Sequence, residues 1–459
     1  MAARVISSWG NVIRAPHVLH GLRSRFDSFP PLAAAQTILP FGNGRSYGDS
    51  CLNPGGALLQ TRSLDRFISF DASTGVLACE AGVLLADILR VIVPAGWFLP
   101  VVPGTRYITV GGAIANDVHG KNHHRAGTFG CHVRRLELLR SNGERLSCSL
   151  QENASWFAAT VGGLGLTGVI TWAELQLRRI PGQRMSVTTR RFAHLDEFFS
   201  LSEELEARHE YTVAWIDCLG RGKQLGRGIL QGASHGAEGA EASPGAQADI
   251  GAAPRAGLAD GSRSRRSILT IPFPLPVSLV NGVSLRLFNT LHYHRQPAGT
   301  RRSVAHYQPF FFPLDGIRHW NRLYGPQGFF QYQCVLPGTG DAIREATGEL
   351  LEAIAASGLG SFLAVLKRFG ARSSPGMLSF PREGATLALD FPNRGVAVQR
   401  LFEALDGIVE QAGGTLYPAK DGRMPGELFR SGYPRWREFS RYIDPACSSS
   451  FWRRVTEHV

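Results

Sequence analysis

Three glycine-rich segments within the first 170 residues constrain the fold of this chain more than any other feature of its sequence. They are residues 40–50 (PFGNGRSYGDS), 103–116 (PGTRYITVGGAIAN) and 159–170 (ATVGGLGLTGVI). Glycine lacks a Cβ atom and therefore permits tight turns and a close approach of backbone to a ligand. The first segment predicts a turn whose backbone N–H groups point inward and bind phosphate oxygens. It lacks the GxGxxG spacing that opens the helix of a dinucleotide-binding βαβ unit.

A polar cluster follows the second segment directly. Residues 117–124 (DVHGKNHH) hold His119, His123 and His124 together with Lys121. The cluster is compatible with a metal site, a solvated loop or a polar active site. The histidine spacing does not match a zinc-protease helix, and the glycine beside His119 disfavours any helix. We therefore expect an active-site cluster without a metal ion.

The overall composition bounds the function classes. The chain has 459 residues, 44% of them hydrophobic and 19% charged, which is ordinary for a globular protein of roughly two to three domains. Its net charge of +12 suits a basic surface that attracts a phosphorylated substrate or an anionic membrane. The basic residues are scattered, and no helix-turn-helix, zinc-finger or RNA-binding motif accompanies them. No nucleic-acid partner is therefore expected.

Cysteine usage and targeting patterns indicate a location. The seven cysteines are widely spaced and include no CxxC pair, which argues against a disulfide framework and favours a reducing compartment. The first residues lack the apolar core of a signal peptide, and no run of about 20 apolar residues predicts a membrane-spanning helix. We expect a cytoplasmic protein, with peripheral contact to the inner membrane left open. The apolar, proline-broken residues 271–283 (IPFPLPVSLVNGV) are either a buried loop or a membrane contact.

The hydrophobic patterns predict an α+β chain and not a regular βαβ series. Before residue 183, the predicted strands include residues 56–60, 76–79 and 169–177, and the predicted helices are residues 81–93 and 154–161. After it, the predicted strands include residues 185–192, 211–217, 329–336, 361–368 and 387–391, and the predicted helices are residues 341–357 and 396–412. The later set predicts an antiparallel sheet covered by helices. Residues 231–267, rich in Ala, Gly and Ser, predict a disordered loop.

Taken in order, the motifs resemble the FAD-binding flavoproteins of the vanillyl-alcohol-oxidase family. The segments above are followed by residues 320–333 (WNRLYGPQGFFQYQ), 362–370 (FLAVLKRFG), 389–392 (LDFP) and 416–423 (LYPAKDGR). The resemblance extends over nearly the whole chain. It implies a two-domain α+β fold with a PCMH-type FAD-binding domain, residues 1–182 completed by residues 414–459. Residues 183–413 would form the substrate-binding domain, the antiparallel sheet covered by helices.

Within this family the motifs are most similar to members that act on a lipid-linked sugar. The resemblance implies FAD-dependent oxidation of the C2 hydroxyl of a polyprenyl-phosphoryl ribose to the 2-keto sugar. This is the first half of a 2-epimerisation for arabinose-donor or cell-envelope polysaccharide synthesis, and an NAD(P)H-dependent short-chain keto-reductase would be the partner that completes it. Two alternatives stay open. One is a soluble aldonolactone or alditol oxidase on the same scaffold, and the other is a non-catalytic flavin-binding redox subunit.

The resemblance also implies roles for individual residues. Lys420 would be the general base, with His119 and Tyr47 beside it at the reacting centre. The substrate contacts would be Lys121, Gln331, Gln333, Lys367 and Phe312. The FAD contacts would be Pro40, Phe41, Gly42, Asn43, Gly44, Arg45, Ser46, Tyr47, Gly48, Asp49, Ser50, Gly104, Thr109, Val110, Gly111, Gly112, Asn116, Asp117, Val118, His119, Ile170 and Tyr417.

Two positions depart from the family pattern. Many family members carry a histidine, covalently bonded to the flavin, where this chain has Tyr47. A tyrosine there implies that FAD is bound non-covalently. Members from arabinan-making bacteria carry a cysteine where this chain has Ala388, so the position offers no thiol, and the lipid carrier or the sugar can differ from theirs.

Overall fold

The computed structural model describes residues 3–236, 269–271, 273, 278 and 280–456. Within these residues the chain forms 21 β-strands and 12 α-helices. The strands are β1 (Arg4–Ser7), β2 (Arg14–Gly21), β3 (Ile38–Phe41), β4 (Ala57–Gln60), β5 (Phe67–Asp71), β6 (Val76–Glu80), β7 (Trp97–Phe98), β8 (Val133–Leu139), β9 (Arg145–Cys148), β10 (Val169–Gln176), β11 (Arg178–Arg179), β12 (Arg184–Phe192), β13 (Tyr211–Ile216), β14 (Gly228–His235), β15 (Leu269–Thr270), β16 (Thr300–His306), β17 (Ile317–Arg318), β18 (Phe329–Pro337), β19 (Ala364–Phe369), β20 (Gly384–Pro392) and β21 (Thr415–Leu416). The helices are α1 (Leu85–Ile92), α2 (Val110–Ala115), α3 (His123–Ala126), α4 (Ala154–Thr160), α5 (Leu195–Arg208), α6 (Gly282–Arg295), α7 (Tyr307–Phe311), α8 (Asp341–Ser357), α9 (Val396–Gln411), α10 (Gly426–Gly432), α11 (Trp436–Ser440) and α12 (Ser450–Thr456).

Two sheets form the first part of the chain. The first has the strand order β1-β2-β4-β3, and its β2–β4 and β3–β4 pairs are parallel. The second has the order β5-β6-β10-β8-β9 and is antiparallel throughout. The strand β3 leads into the first glycine-rich segment, and β10 begins at the end of the third. The two sheets therefore hold these two segments in place.

An eight-stranded antiparallel sheet dominates the rest of the fold, with the order β16-β12-β14-β13-β19-β20-β18-β21. The predicted antiparallel sheet covered by helices is confirmed. The helices α8 and α9 bury residues at a spacing of three and four, Ile343, Thr347, Leu350 and Ile354 on α8 and Val398, Leu401 and Leu405 on α9. Apart from Thr347, these side chains share one apolar core with the sheet, because helical spacing places such residues on a single face.

Two predicted elements are shorter than expected, for reasons visible in their hydrogen bonds. The helix expected from residue 81 begins at Leu85, because Ala81 pairs through its backbone with Thr171 and Gly111. The strand expected from residue 361 begins at Ala364. The Ser361 hydroxyl instead accepts from the backbone N–H of Leu363 at 3.0 Å and forms a turn.

The prediction of a disordered loop over residues 231–267 is wrong for its first five residues. Residues 231–235 belong to β14, which pairs with β12 on one side and β13 on the other. Their side chains are buried or half-buried, so the polar composition hid a central strand. Residues 237–267 of that loop lie outside the described residues, as do several positions in the apolar stretch 271–283. None of the described helices combines the length and the apolarity that crossing a membrane requires.

Candidate active site

A loop of unpaired backbone donors follows β3. The five backbone N–H groups of residues 42–46 donate to no other residue in the described part of the chain. Gly44 has a φ of +58°, and a Cβ atom there would lie 2.8 Å from the Phe41 ring. A Cβ atom on Gly42 would lie 2.6 Å from the hydroxyl of Thr109. The loop therefore packs closely against Phe41 and Thr109. It also offers a run of N–H groups, the arrangement that binds phosphate oxygens.

The short helix α2 forms a surface of small residues beside this loop. The Thr109 hydroxyl accepts from the backbone N–H of Gly112 at 3.0 Å and caps the helix. A Cβ atom on Gly112 would meet that hydroxyl at 3.0 Å and no other described atom within 4 Å. Asn116 donates from its side chain to the Gly112 carbonyl at 2.8 Å, and the Tyr417 hydroxyl donates to the Asn116 carbonyl at 2.9 Å. Open space over glycine backbone is what close contact with a large flat ligand requires.

Asp117 fixes the turn that connects α2 to the histidine cluster. Its Oδ1 accepts from the backbone N–H of Gly130 at 2.9 Å, and its Oδ2 accepts from the hydroxyls of Ser374 and Ser379, both at 2.5 Å. Burial raises the pKa of this carboxyl, while the four hydrogen-bond donors around it oppose the rise. Both oxygens are thus taken up by protein groups, and Asp117 holds the backbone of the site in place.

The other expected FAD contacts fall into three environments. The half-buried ones are Pro40, Phe41, Asn43, Arg45, Ser46 and Gly111, and the buried ones are Gly48, Asp49, Ser50, Val110, Val118 and Ile170. Gly104 is exposed. Asp49 forms an ion pair of 2.8 Å with Arg454, and a Cβ atom on Gly48 would lie 1.7 Å from the carbonyl oxygen of Asp421. The glycine loop therefore touches the C-terminal segment that carries Lys420.

His119 lies at the centre of the side chains that the sequence marked as substrate contacts. Nζ of Lys367 is 2.9 Å from its Nδ1, and the Gln333 amide nitrogen is 2.9 Å from its Nε2. Its ring packs against Phe369 and Tyr417, with centroids 4.9 and 5.4 Å away. Burial and the charge of Lys367 hold the pKa of this imidazole well below its usual range. His119 is therefore neutral at ordinary pH.

A second polar group surrounds Lys420. Its Nζ lies 3.8 Å from the centroid of the Tyr47 ring, close enough for a cation–π contact. Gln331 donates from its amide to Oδ1 of Asp390 at 2.5 Å. Asp390 is fully buried. Charge attraction between Asp390 and Lys420 affects the pKa of both groups, so they face each other within the same buried space.

The register of the large sheet explains why these groups converge. In the β18–β20 pair, Gln331 lies opposite Asp390 and Gln333 lies opposite Ala388. Residues two apart in a strand share a face, so both glutamines and the aspartate point to one side. In the β19–β20 pair, Lys367 lies opposite Thr386, which is two further along the same face. One face of three adjacent strands therefore supplies most of the polar side chains.

Burial gives the three lysines unusual acidities. The pKa of Lys367 falls to about 7 through burial and repulsion from Lys121 and Lys420. Burial alone lowers the pKa of Lys121 to about 7. Burial lowers the pKa of Lys420 only to about 8, since attraction to Asp390 opposes part of the fall. Each lysine can thus exchange a proton near neutral pH, which a solvated lysine cannot do.

The remaining predicted residues lie at the edges of this group. Lys121 donates to the carbonyl of Phe310, and its Nζ lies 4.3 Å from the centroid of the Phe310 ring. Phe312 is buried in the same apolar cluster. His123 packs on Phe369 with centroids 4.5 Å apart, and neither of its ring nitrogens has a partner among the described residues. Within the described part of the chain, no group of three or more His, Cys, Asp and Glu side chains is arranged to hold a metal ion.

Sequence reasoning missed Asp390 and Tyr324. Burial raises the pKa of Asp390 to about 7, and the Tyr324 hydroxyl and the Gln331 amide both bind its carboxyl. The signal was present, because Asp390 is the single charged residue in the apolar strand run LALDFP. Such a residue is almost never fully buried unless it is paired. Tyr324 had no comparable signal, since its position depends on stacking with Phe329 at 4.2 Å.

Comparison with known proteins decides the family. Residues 32–149 match the FAD binding domain family. The chain is 37% identical over 415 residues to the decaprenylphosphoryl-β-D-ribose oxidase of Mycolicibacterium smegmatis, an alignment that covers 89% of this chain and 86% of that protein. The chain belongs to the decaprenylphosphoryl-β-D-ribose oxidase family. Membership of this family makes the protein an FAD-dependent oxidoreductase. The unpaired N–H groups of residues 42–46 and the open surface over Gly112 fit FAD.

Two other proteins are similar to this chain over different lengths. An uncharacterised Streptomyces coelicolor protein is 34% identical over 79% of this chain and 96% of its own length. Cytokinin dehydrogenase 7 of Oryza sativa subsp. japonica is 30% identical, over 50% of this chain and 46% of its own length. The resemblance to the decaprenylphosphoryl-β-D-ribose oxidase family therefore spans both parts of the fold, whereas the plant enzyme matches half of the chain.

Proposed function

We propose that this protein uses FAD to oxidise the C2 hydroxyl of a polyprenyl-phosphoryl ribose to the 2-keto sugar. The observation that carries the proposal is the buried contact of Lys367 with His119 at 2.9 Å, together with Lys121 and Lys420, which lie close enough to Lys367 to lower its pKa by repulsion. A cluster of buried cations suits an anionic substrate, and a sugar phosphodiester has both the anion and the hydroxyl groups. The name of the Mycolicibacterium smegmatis relative supports the same substrate.

The cofactor is proposed to lie between the glycine loop and α2. The N–H groups of residues 42–46 would bind its pyrophosphate, and the glycine backbone of α2 with Asn116 and Tyr417 would line the rest. FAD, when bound, supplies the two-electron acceptor for the carbinol C–H bond. Tyr47 has no nucleophilic nitrogen, which supports non-covalent binding. The side chains of the protein would bind and orient the substrate and accept the proton of its hydroxyl group.

Lys420 is proposed to take the proton of the C2 hydroxyl. A general base must be neutral before it reacts, and a base with a pKa near the working pH is the most effective. The pKa of about 8 that burial and Asp390 give Lys420 meets that condition. After transfer the proton resides on Nζ, where the Asp390 carboxylate stabilises the ammonium. His119, which is neutral and held by Lys367 and Gln333, orients the sugar.

Lys121 and Lys367 are proposed to bind the phosphodiester as point charges, the usual role of lysine toward phosphate. A bound anion would raise the pKa of both groups and keep them protonated. Gln331 and Gln333 would then hydrogen-bond the sugar hydroxyls from the sheet. The keto product would pass to an NAD(P)H-dependent short-chain keto-reductase, and the lipid carrier would require peripheral contact with a membrane. The product would serve arabinose-donor or cell-envelope polysaccharide synthesis.

Anaerobic flavin reduction tests the proposal. The purified yellow protein is mixed, without oxygen, with a polyprenyl-phosphoryl ribose, free ribose, an alditol and an aldonolactone. Bleaching by the lipid-linked ribose, with a 2-keto sugar as product, is the expected result. Bleaching by the alditol or lactone instead would assign the protein to the soluble sugar oxidases. A yellow protein that no substrate bleaches would be a flavin-binding subunit without turnover.

A further inference from the structure

The helix α6 exposes several large apolar side chains in addition to those that it buries. Its buried positions are Leu285, Asn289 and Tyr293, spaced four apart. Its outer positions include Val283, Leu287 and Leu291, which are 78%, 61% and 62% exposed. A surface helix of a globular protein normally turns its apolar stripe inward and its polar residues outward.

Directed polar contacts hold α6 in this orientation. The Asn289 side chain donates to Oδ1 of Asp217 at 2.7 Å, and Asp217 also forms an ion pair of 2.7 Å with Arg227. The Tyr293 hydroxyl donates to the carbonyl of Phe192 at 3.2 Å. At its start, Asn281 caps the helix by accepting from the N–H groups at 283 and 284. The outward position of the apolar residues is thus fixed by the structure and is not an accident of a loose helix.

The charged residues of the segment that contains α6 are all of one sign. Residues 282–306 contain Arg286, Arg295, Arg301 and Arg302 and no acidic residue. Arg286 lies on the exposed side of the helix next to Leu287. An apolar stripe with arginine beside it is the pattern of helices that lie in the interface of an anionic membrane.

The position of α6 connects this surface to the candidate active site. Leu285 on its buried side belongs to one apolar cluster with Val280, Tyr47 and Tyr324. Tyr47 contacts Lys420, the proposed base. The buried side of α6 therefore shares an apolar cluster with the ring that contacts the proposed base, which places the helix on the same side of the molecule as Tyr47.

We propose that the outer face of α6, formed by Val283, Leu287, Phe288 and Leu291, docks the protein onto an anionic lipid surface. The inference deepens the proposed function and relies on it only for the lipid nature of the substrate. The apolar side chains enter the boundary between headgroups and acyl chains, and the exposed Arg286 contacts the anionic headgroups. The helix lies flat on the membrane without crossing it.

Vesicle flotation tests this docking with the full chain loaded with FAD. One set of vesicles is phosphatidylcholine alone, and the other contains phosphatidylcholine and phosphatidylglycerol. The protein is expected to float with the phosphatidylglycerol vesicles. The double variant L287E/L291E should bind them at least about tenfold more weakly, because each buried leucine contributes that order of partitioning. The matched control L150E/V396E changes two exposed apolar residues elsewhere, 62% and 66% exposed, and should float normally.

The outcomes separate this proposal from the proposed function. All variants are also assayed for FAD content and for reduction by a short-chain phosphoryl ribose that needs no membrane. Normal flotation of L287E/L291E, or no flotation of the unaltered protein, overturns the docking proposal whatever the activity. Loss of keto-reductase binding in L287E/L291E with unchanged flotation would make the face a protein interface and overturn it too. A protein that floats but reduces with no substrate would refute the function and leave the docking in place.

Discussion

Nζ of Lys367 lies 2.9 Å from Nδ1 of His119 and also donates to the Gly120 carbonyl at 2.9 Å. A neutral imidazole carries a single N–H, so one of its nitrogens donates while the other accepts. A charged Lys367 makes Nδ1 the acceptor and places the proton on Nε2, and the Gln333 amide, whose nitrogen now lies 2.9 Å from Nε2, must then turn its carbonyl oxygen toward that proton. A neutral Lys367 can accept from Nδ1–H, and Nε2 then accepts from the amide N–H. With the pKa of Lys367 at about 7, the two arrangements interconvert near neutral pH.

Lys420→Met should slow flavin reduction without loss of the flavin. The variant keeps the apolar stem against Tyr47 and removes the amine, so the site should still fold. A general base typically contributes about 10²–10⁴-fold, and the rate at saturating substrate should fall by that factor in stopped-flow measurements. If Lys420 held the phosphate instead, the substrate affinity would fall and the saturating rate would survive. A pale protein would place Lys420 at the cofactor.

The rate of flavin reduction should rise with pH through about 8, where burial and Asp390 place the pKa of Lys420. The sign follows from the chemistry, because the neutral amine is the active base and it forms above its pKa. Asp390→Asn removes the carboxylate that raises this pKa, so the rising limb should move to lower pH. The pH dependence of flavin reduction at saturating substrate, measured for the unaltered protein and for Asp390→Asn, gives the position of the rising limb in each. An unshifted profile in Asp390→Asn would show that Asp390 does not act on the base.

Gly112→Val should abolish FAD binding. The new side chain would occupy the open space over α2, where the glycine backbone is expected to meet the cofactor. Gly407→Val is a suitable control, because a Cβ atom at that helical position meets no described atom within 4 Å and the residue lies on α9. The ratio of flavin to protein absorbance after purification compares the two. Full FAD occupancy in Gly112→Val would show that the cofactor does not bind against α2.

Acid should release the flavin of this protein completely. Tyr47 stands where many family members carry the histidine that bonds to flavin, and a phenol ring offers no equivalent nitrogen. After precipitation with trichloroacetic acid, all the yellow colour should be in the supernatant. Colour that remains in the washed pellet would reveal a covalent link through another residue.

Five strands of the large sheet and the helices α8 and α9 were predictable because their apolar spacing is regular, whereas β14 was hidden by its polar composition and β16 was not predicted. Residues 341–357 gave helix α8 with the same bounds, and the motifs around Gln331, Lys367 and Lys420 named side chains that the structure brings together. The role of Asp390 was not predictable, because it depends on which strands pair and in which register. The orientation of α6 was also beyond sequence patterns, since the usual rule places Leu287 and Leu291 inward, and the hydrogen bond of Asn289 to Asp217 reverses it.

The contact between His119 and Lys367 joins positions 248 apart in the chain, and the Arg454–Asp49 pair joins positions 405 apart. Contacts of such long range form slowly, because the chain between them must lose its freedom first. Synthesis from the N-terminus therefore completes the glycine loop well before the residues that accompany it. A chain truncated before residue 420 would retain most of its strands and lack the proposed base. Completion of the site should thus await the segment that carries Lys420 and Arg454.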